Sequence, residues 1–179
     1  MEEGALGSPS WDLFIIIFLI IATGYGFVLQ KEKATATLLS TYVALVVTTV
    51  WGESVYKIIS GNAILANQAI LKGNINPFTV KVFVFALFIV LLSLKGEYLS
   101  SKTGAISSTI ILFLYSFLNA GLIITSIISF MDDSSRMLLL GQSNVAAMIY
   151  QYHNWWIVLP AIIIIIAGFK KRSYQQPEN

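Results

Sequence analysis

Few side chains in this sequence place a chemically useful group inside an apolar run. Asn119 lies near the middle of one such run, and Glu53 lies near the end of another. A buried amide without a hydrogen-bond partner costs several kcal/mol in hydrocarbon. Asn119 is therefore predicted either to join neighbouring helices or to line a pore or substrate path.

Glu53 is a carboxylate at the rim of the predicted membrane core. Lys57 follows one helical turn later, in the order that favours an ion pair. One interpretation is a paired carboxylate at the membrane surface. The other is a proton or cation site, because intramembrane acids often mark ion pathways. Lys81 lies one turn into the next apolar run and is long enough to extend its charge towards the headgroups.

No spacing of residues indicates catalysis, a metal site or a cofactor. The single histidine, His153, has no second histidine or carboxylate at ligand spacing beside it. Tyrosines and tryptophans surround it in the sequence, which is typical of the membrane interface. No serine or threonine has a base at helical spacing, and the chain contains no cysteine. We therefore expect a non-enzymatic protein without a cofactor or a metal.

Small residues recur every four positions along the second apolar run. They form what we call the small-residue ridge: Ala36, Ser40, Ala44, Thr48 and Gly52. Helices in lipid associate through close packing of such faces, so the ridge is predicted to contact another helix. That helix belongs either to the same chain, as bundle packing, or to a second copy, as a homo-oligomer interface.

Long apolar helices must position these residues. The chain has 179 residues, of which 56% are hydrophobic and 11% charged, and its mean hydropathy is +0.77. A soluble domain usually carries about 25% charged residues. The prediction is an all-α, polytopic transmembrane helical bundle of about five spans, in one membrane domain over residues 1–172 with a polar tail at 173–179. The spans are predicted at 12–30, 34–56, 77–95, 104–130 and 146–169.

Two amphipathic segments are predicted on the outer face of the bundle. The first, residues 58–77, repeats Ala-Ile-Leu and either lies in the membrane interface or covers the mouth of the bundle. The second, residues 143–154, leads into a pair of tryptophans. The last span has a short apolar core that Pro160 is predicted to kink. A four-span alternative leaves this last run flat or re-entrant.

The basic residues give the bundle a direction. With the N-terminus outside and the C-terminus in the cytoplasm, the inner side receives seven of the eleven basic residues and the outer side four. The positive-inside rule favours this orientation. The inner set is Lys31, Lys33, Lys95, Lys102, Lys170, Lys171 and Arg172, and the outer set is Lys57, Lys72, Lys81 and Arg136.

The order of these parts resembles the colicin V production protein family. The stretches that match are Trp11-Asp12 with IIIFLIIATGYGF, then QKEKATATLLSTYVALVVTTVWGE, then VFVFALFIVLLSLKGEYLSSKTG, and finally QSNVAAMIYQYHNWWIVLP. The chain departs from the family pattern in having Gln30 and Lys31 where an arginine beside glycine is usual. It also lacks the Gly- and Arg-rich start of the fourth span, and the apolar run from Ile157 to Phe169 is an addition.

The resemblance implies a prokaryotic inner-membrane protein tied to export or envelope maintenance, with no catalytic residues to carry over. We expect it to act through helix packing with partner membrane proteins or with itself. The alternative is a small channel or transporter with a polar path near Asn119 and Glu53. A net charge of +2 does not favour a nucleic-acid partner.

Overall fold

The fold is described from a computed structural model. It describes residues 10–28, 31–65, 76–100 and 109–172, and the side chains of 10–26, 33–60, 76–95 and 109–165. These residues form seven helices and no strand, which confirms the predicted all-α class. The helices are α1 (Trp11–Val28), α2 (Lys31–Leu65), α3 (Pro77–Ser100), α4 (Thr109–Phe130), α5 (Asp133–Gln142), α6 (Asn144–Gln151) and α7 (His153–Arg172).

The number of membrane-crossing helices is smaller than the sequence predicted. Three described stretches are long and apolar enough to cross a bilayer: Lys33–Ser60, Pro77–Lys95 and Thr109–Phe130. A fourth is added if α6 and the described start of α7 count as one broken span. The apolar stretch of α1, Trp11–Gly26, is shorter than this criterion requires. The structure thus supports a membrane helical bundle, but not the count of about five.

The chain divides into two compact units, and the unit Gln30–Ala105 contains α2 and α3. These two long helices pack along each other. α3 begins at Pro77, a position where the missing backbone N–H of proline is harmless. The Asn76 side chain accepts a hydrogen bond from the Phe78 backbone N–H at 3.1 Å, which caps the start of the helix. A proline next to a capping residue therefore sets where the second helix of the pair begins.

α2 is longer than its predicted span. It runs without a break through residues 57–65, so the first part of the predicted amphipathic segment at 58–77 continues this helix. Residues 66–75 of that segment lie outside the described residues. At 35 residues, α2 is roughly 52 Å long, well beyond a hydrocarbon core of about 30 Å.

The other unit joins residues 1–29 to residues 106–179 and contains the remaining helices. α4 lies at its centre and packs against α1, α6 and α7. Its core is a cluster of four isoleucines and one alanine contributed by three helices: Ile15, Ile124, Ile128, Ala146 and Ile149. Because α4 contacts three neighbours, 56% of its span is buried, against 17% of the α3 span.

The predicted last span, residues 146–169, is not one straight helix. α6 ends at Gln151 and α7 begins at His153, and the two helices are bent by 56°. The helix is interrupted at Tyr152. The kink had been predicted eight residues later, at Pro160, which lies inside α7. The structure also contains α5, which the sequence analysis missed; its start is capped by Asp132, which accepts a hydrogen bond from the Ser135 N–H.

Candidate functional site

The small-residue ridge of α2 is buried within the chain. Ala44 and Thr48 have no exposed surface, and Ala36, Ser40 and Gly52 are also buried. At Gly52 an added Cβ atom would lie 2.9 Å from Cγ of Lys81 on α3, so the two helices touch closely there. Ser40 donates its hydroxyl to the Ala36 carbonyl at 2.8 Å and so presents no polar group to the seam. The ridge is therefore placed for packing inside the chain.

Glu53 has an ion-pair partner on the neighbouring helix. Its Oε2 atom lies 3.7 Å from Nζ of Lys81, whereas the sequence had predicted Lys57 on the same helix. Half of the Glu53 side chain is exposed, and Lys81 is more enclosed. Exposed ion pairs contribute roughly 0–1 kcal/mol, so this contact adds little to the stability of the α2–α3 pair. Lys81 thus makes an ion pair between the two helices, and its extension towards the headgroups stays a prediction.

Asn119 occupies the middle of α4, as predicted. Its Oδ1 atom is buried and has no hydrogen-bond partner. Three further buried hydroxyl groups of the same unit share this property: Thr23 on α1, and Tyr115 and Thr125 on α4. Buried polar atoms in folded proteins are nearly always hydrogen-bonded. The unit therefore carries a concentration of unsatisfied polar atoms along its central helix.

Two glycines set how closely the helices around α4 approach one another. A Cβ atom on Gly26 of α1 would overlap the Ser116 side chain of α4, and a Cβ atom on Gly121 of α4 would overlap the Trp156 ring of α7. Trp156 also packs against Phe117, with ring centroids 5.4 Å apart. The bulky indole thus takes the space that the glycine leaves free, and α4 is held on both sides.

A second polar cluster joins α1 to the junction of α5 and α6. The Asp12 carboxylate accepts hydrogen bonds from the Ser143 hydroxyl and, at 3.1 Å, from the Val145 backbone N–H. Ser143 caps α6 by accepting from the Ala146 N–H at 2.9 Å and is itself almost fully buried. A carboxylate near the start of a helix is favoured by the partial positive charge of its free N–H groups. Asp12 therefore links helices that are 131 residues apart in the chain.

The predicted interface residue His153 lies beside an aromatic and basic group. Its Nδ1 atom is 3.0 Å from the Tyr150 carbonyl oxygen, and its ring stacks on that of Tyr150 at 5.1 Å. The Arg136 guanidinium lies over the Tyr150 ring at 5.4 Å from its centre and also pairs with Asp133. These contacts join α5, α6 and the start of α7. Across the described residues, no group of three His, Cys, Asp or Glu side chains could hold a metal ion.

Neither the Asp12 cluster nor the partner of Glu53 was predicted from the sequence. Asp12 was named there only as part of a stretch that carries the family resemblance. Ser143, a preferred capping residue directly before an apolar stretch, was the available signal for the start of α6. No local signal pairs Glu53 with Lys81, because the two residues meet only through the packing of α2 on α3.

Comparisons with known proteins add no relative. No family model, no curated protein and no solved structure matches this chain. The resemblance to the colicin V production protein family therefore stays a prediction.

Proposed function

We propose that this chain is a non-enzymatic integral membrane protein that acts by packing its helices against partner membrane proteins or against a second copy of itself. The observation that carries the proposal is the large uncovered apolar face of α3. Only 17% of its span is buried by the chain, and one face carries exposed apolar side chains that can contact lipid or another protein.

The outward face of α3 has the spacing of a helix-packing seam. Four of the five exposed large apolar residues described on α3 recur at intervals of four, three and four positions: Phe83, Leu87, Val90 and Leu94. The fifth, Leu91, lies beside Val90. α2 carries an exposed stripe with the same intervals: Leu39, Val43, Val46 and Val50. Intervals of three and four align side chains in the way that lets two long helices pack at a small crossing angle. These two stripes, and not the buried small-residue ridge, are the surfaces offered to a partner.

The resemblance to the colicin V production protein family supports a cellular location and a process for this proposal. It favours a prokaryotic inner membrane and a role in envelope maintenance or export. The basic residues favour an outside N-terminus and a cytoplasmic C-terminus, which requires an odd number of crossings. Five crossings result if α1 spans the bilayer and the broken pair of α6 and α7 counts as one. α1 has 18 residues and is roughly 27 Å long, so it crosses if the bilayer thins slightly around it.

Cysteine crosslinking tests self-association directly, because the chain has no cysteine of its own. Single substitutions Val46→Cys and Leu87→Cys place a thiol on the two exposed stripes. Ala44→Cys and Phe85→Cys are matched buried controls, since these residues are 0% and 1% exposed. If a second copy is the partner, mild oxidation in native membranes gives a disulfide dimer for an exposed position and none for the controls. Monomer at every position would eliminate these faces as a self-association surface and leave other membrane proteins as the partner.

A small channel or transporter is the second candidate function, and one observation favours it. Asn119 places a buried, unpartnered carbonyl oxygen in the middle of a membrane-crossing helix. Polar groups at such depth are costly and frequently line transport paths. Flux into liposomes, measured for the wild type, Glu53→Gln and Asn119→Leu, tests this candidate. Ion flux lowered by either substitution supports a polar path near that residue, and equal, negligible flux in all three removes it.

A further inference from the structure

α1 and α4 pack in opposite directions, and their contacts fix the register between them. Ile15, near the start of α1, packs with Ile124 and Ile128 near the end of α4. Gly26, near the end of α1, lies against Ser116 near the start of α4. Any residue between these two contacts can therefore be matched to its neighbour across the seam.

Thr23 and Asn119 are such a matched pair. Thr23 precedes Gly26 by three residues, and Asn119 follows Ser116 by three residues. Because the helices are antiparallel, both steps lead in the same direction, by about 4.5 Å. A step of three residues also stays on the same side of a helix. Thr23 and Asn119 therefore lie at the same level of the seam between α1 and α4.

Both residues place an unsatisfied oxygen atom at that level. Thr23 Oγ1 and Asn119 Oδ1 are buried and have no hydrogen-bond partner. Serines on α4 satisfy their hydroxyl groups within the helix: Ser116 donates to the Leu112 carbonyl at 2.9 Å and Ser126 to the Leu122 carbonyl at 2.7 Å. Thr23 makes no such bond. Two unpaired, buried oxygen atoms at one level of two packed helices are costly in an apolar environment unless a third group satisfies both.

We propose that Thr23 and Asn119 form a binding site for one ordered water molecule between α1 and α4. A water molecule can donate one hydrogen bond to Asn119 Oδ1 and exchange another with the Thr23 hydroxyl, which both donates and accepts. Buried waters typically bridge two to four polar groups that lack other partners. Water fits better than a metal cation, because α4 has no carboxylate and Asp12, the only one on α1, lies about three turns from Thr23.

This site goes beyond the proposed packing function and does not depend on it. A bound water ties α1 to α4 at mid-height, between the isoleucine cluster and the contact of Gly26 with Ser116. It adds directional hydrogen bonds to a contact that otherwise depends on close packing, and it holds the polar side chain of Asn119 inside the unit.

A double-mutant cycle tests the water site. Thr23→Val and Asn119→Leu remove the polar groups at nearly constant shape, and unfolding is followed by titration with sodium dodecyl sulfate. We expect each single change to lower the folding equilibrium constant about fivefold, and the second change to have little effect once the first is made. Thr49→Val is the control, because its hydroxyl bonds to the Leu45 carbonyl at an exposed position. A stabilising Thr23→Val, or strictly additive effects, would overturn the proposal.

A second measurement separates a bound water from a direct bond between the two side chains. In wild-type protein in deuterated detergent, the Asn119 side-chain amide is expected to show a magnetisation-transfer cross-peak to water in NMR spectra. That cross-peak is expected to disappear in Thr23→Val, while the amide of the exposed Asn144 keeps its own. A wild-type spectrum without the Asn119 cross-peak would overturn the proposal even if the variants failed to fold.

Discussion

Gly26 of α1 lies directly against Ser116 of α4, with no room for one more carbon atom between them. Two residues earlier in the same helix, Gly24 faces open space and is exposed. Substitutions at Gly24 and Gly26 therefore separate the effect of helix packing from the effect of a glycine on helix stability. The contact of Gly26 with Ser116 also sets the register on which the proposed water site between Thr23 and Asn119 rests.

We expect Gly26→Ala to destabilise the protein by about 1–3 kcal/mol, because the new Cβ atom pushes α1 away from α4. Gly24→Ala is the matched control and should be neutral or stabilising by up to about 1 kcal/mol, since alanine favours helix. Titration with sodium dodecyl sulfate measures both changes. Ser116→Gly should restore much of the stability lost in Gly26→Ala, because it removes the side-chain atoms that the new Cβ meets. Equal effects at positions 24 and 26 would contradict the packing of α1 on α4.

The Asp12 cluster predicts a local effect at the start of α6. Replacing Asp12 by alanine removes the acceptor for the Val145 N–H and for the Ser143 hydroxyl. We expect faster hydrogen exchange of the Val145 amide in Asp12→Ala, and a smaller change in Asp12→Asn, which keeps one carbonyl acceptor. The amide of Leu139, in the middle of α5, serves as an internal control. Unchanged exchange at Val145 would show that the link between α1 and α6 does not form.

Asp132 lies outside the membrane-spanning helices, and its capping contact is predicted to depend on pH. The Ser134 hydroxyl and the Ser135 backbone N–H hold the pKa of this carboxyl at about 2, below its usual value of 3.8. A lowered pKa means that the capping interaction is fully present above pH 3.8 and is lost as the pH falls towards 2. An NMR titration of the Asp132 carboxyl carbon should give a midpoint near 2. Ser134→Ala should raise that midpoint towards 3.8, whereas Ser129→Ala, whose hydroxyl bonds within α4, should leave it unchanged.

The proposed five crossings predict which ends of the helices face the outside. Single cysteines are placed at Met137 on α5 and at Lys95 at the end of the α3 span; both residues are exposed. In intact cells, a membrane-impermeant thiol reagent should label Met137→Cys, and it should label Lys95→Cys only after the membrane is permeabilised. Labelling of both positions in intact cells, or of neither, would contradict an outside N-terminus with five crossings.

The helical class and most helix positions followed from the sequence, because long apolar runs between charged ends have few alternatives in lipid. The small-residue ridge was predicted to pack against a helix, and the structure buries it. The burial favours packing inside the chain over a homo-oligomer interface. Asn119 lies in the middle of α4, and its predicted role in a polar path or between helices stays a prediction.

The missed features depend on tertiary packing or on short helices. Neither the partner of Glu53 nor the contact of Asp12 with Ser143 leaves a mark at fixed sequence spacing. The sequence predicted both an amphipathic segment at 143–154 and a span at 146–169 that overlaps it, and the structure separates the two as α6 and α7 at Tyr152. The short helix α5 is only weakly apolar, so no span was predicted there. The bend was predicted at Pro160, where a helix interior loses a hydrogen bond. The sharp change of direction instead falls where α6 has ended at Gln151 and the caps of two helices meet.

Site-specific photo-crosslinking in living cells tests most directly whether the protein acts through its exposed helix faces. A photoreactive amino acid is introduced in turn at Leu87, Val90 and Leu94 on the outward stripe of α3, and at Val84 and Phe85 as buried controls. We expect a crosslinked protein adduct of the same discrete mass at the outward positions, and no adduct of that mass at the buried controls. An absence of any discrete protein adduct at all three outward positions would contradict this expectation, because the stripe would then face only lipid.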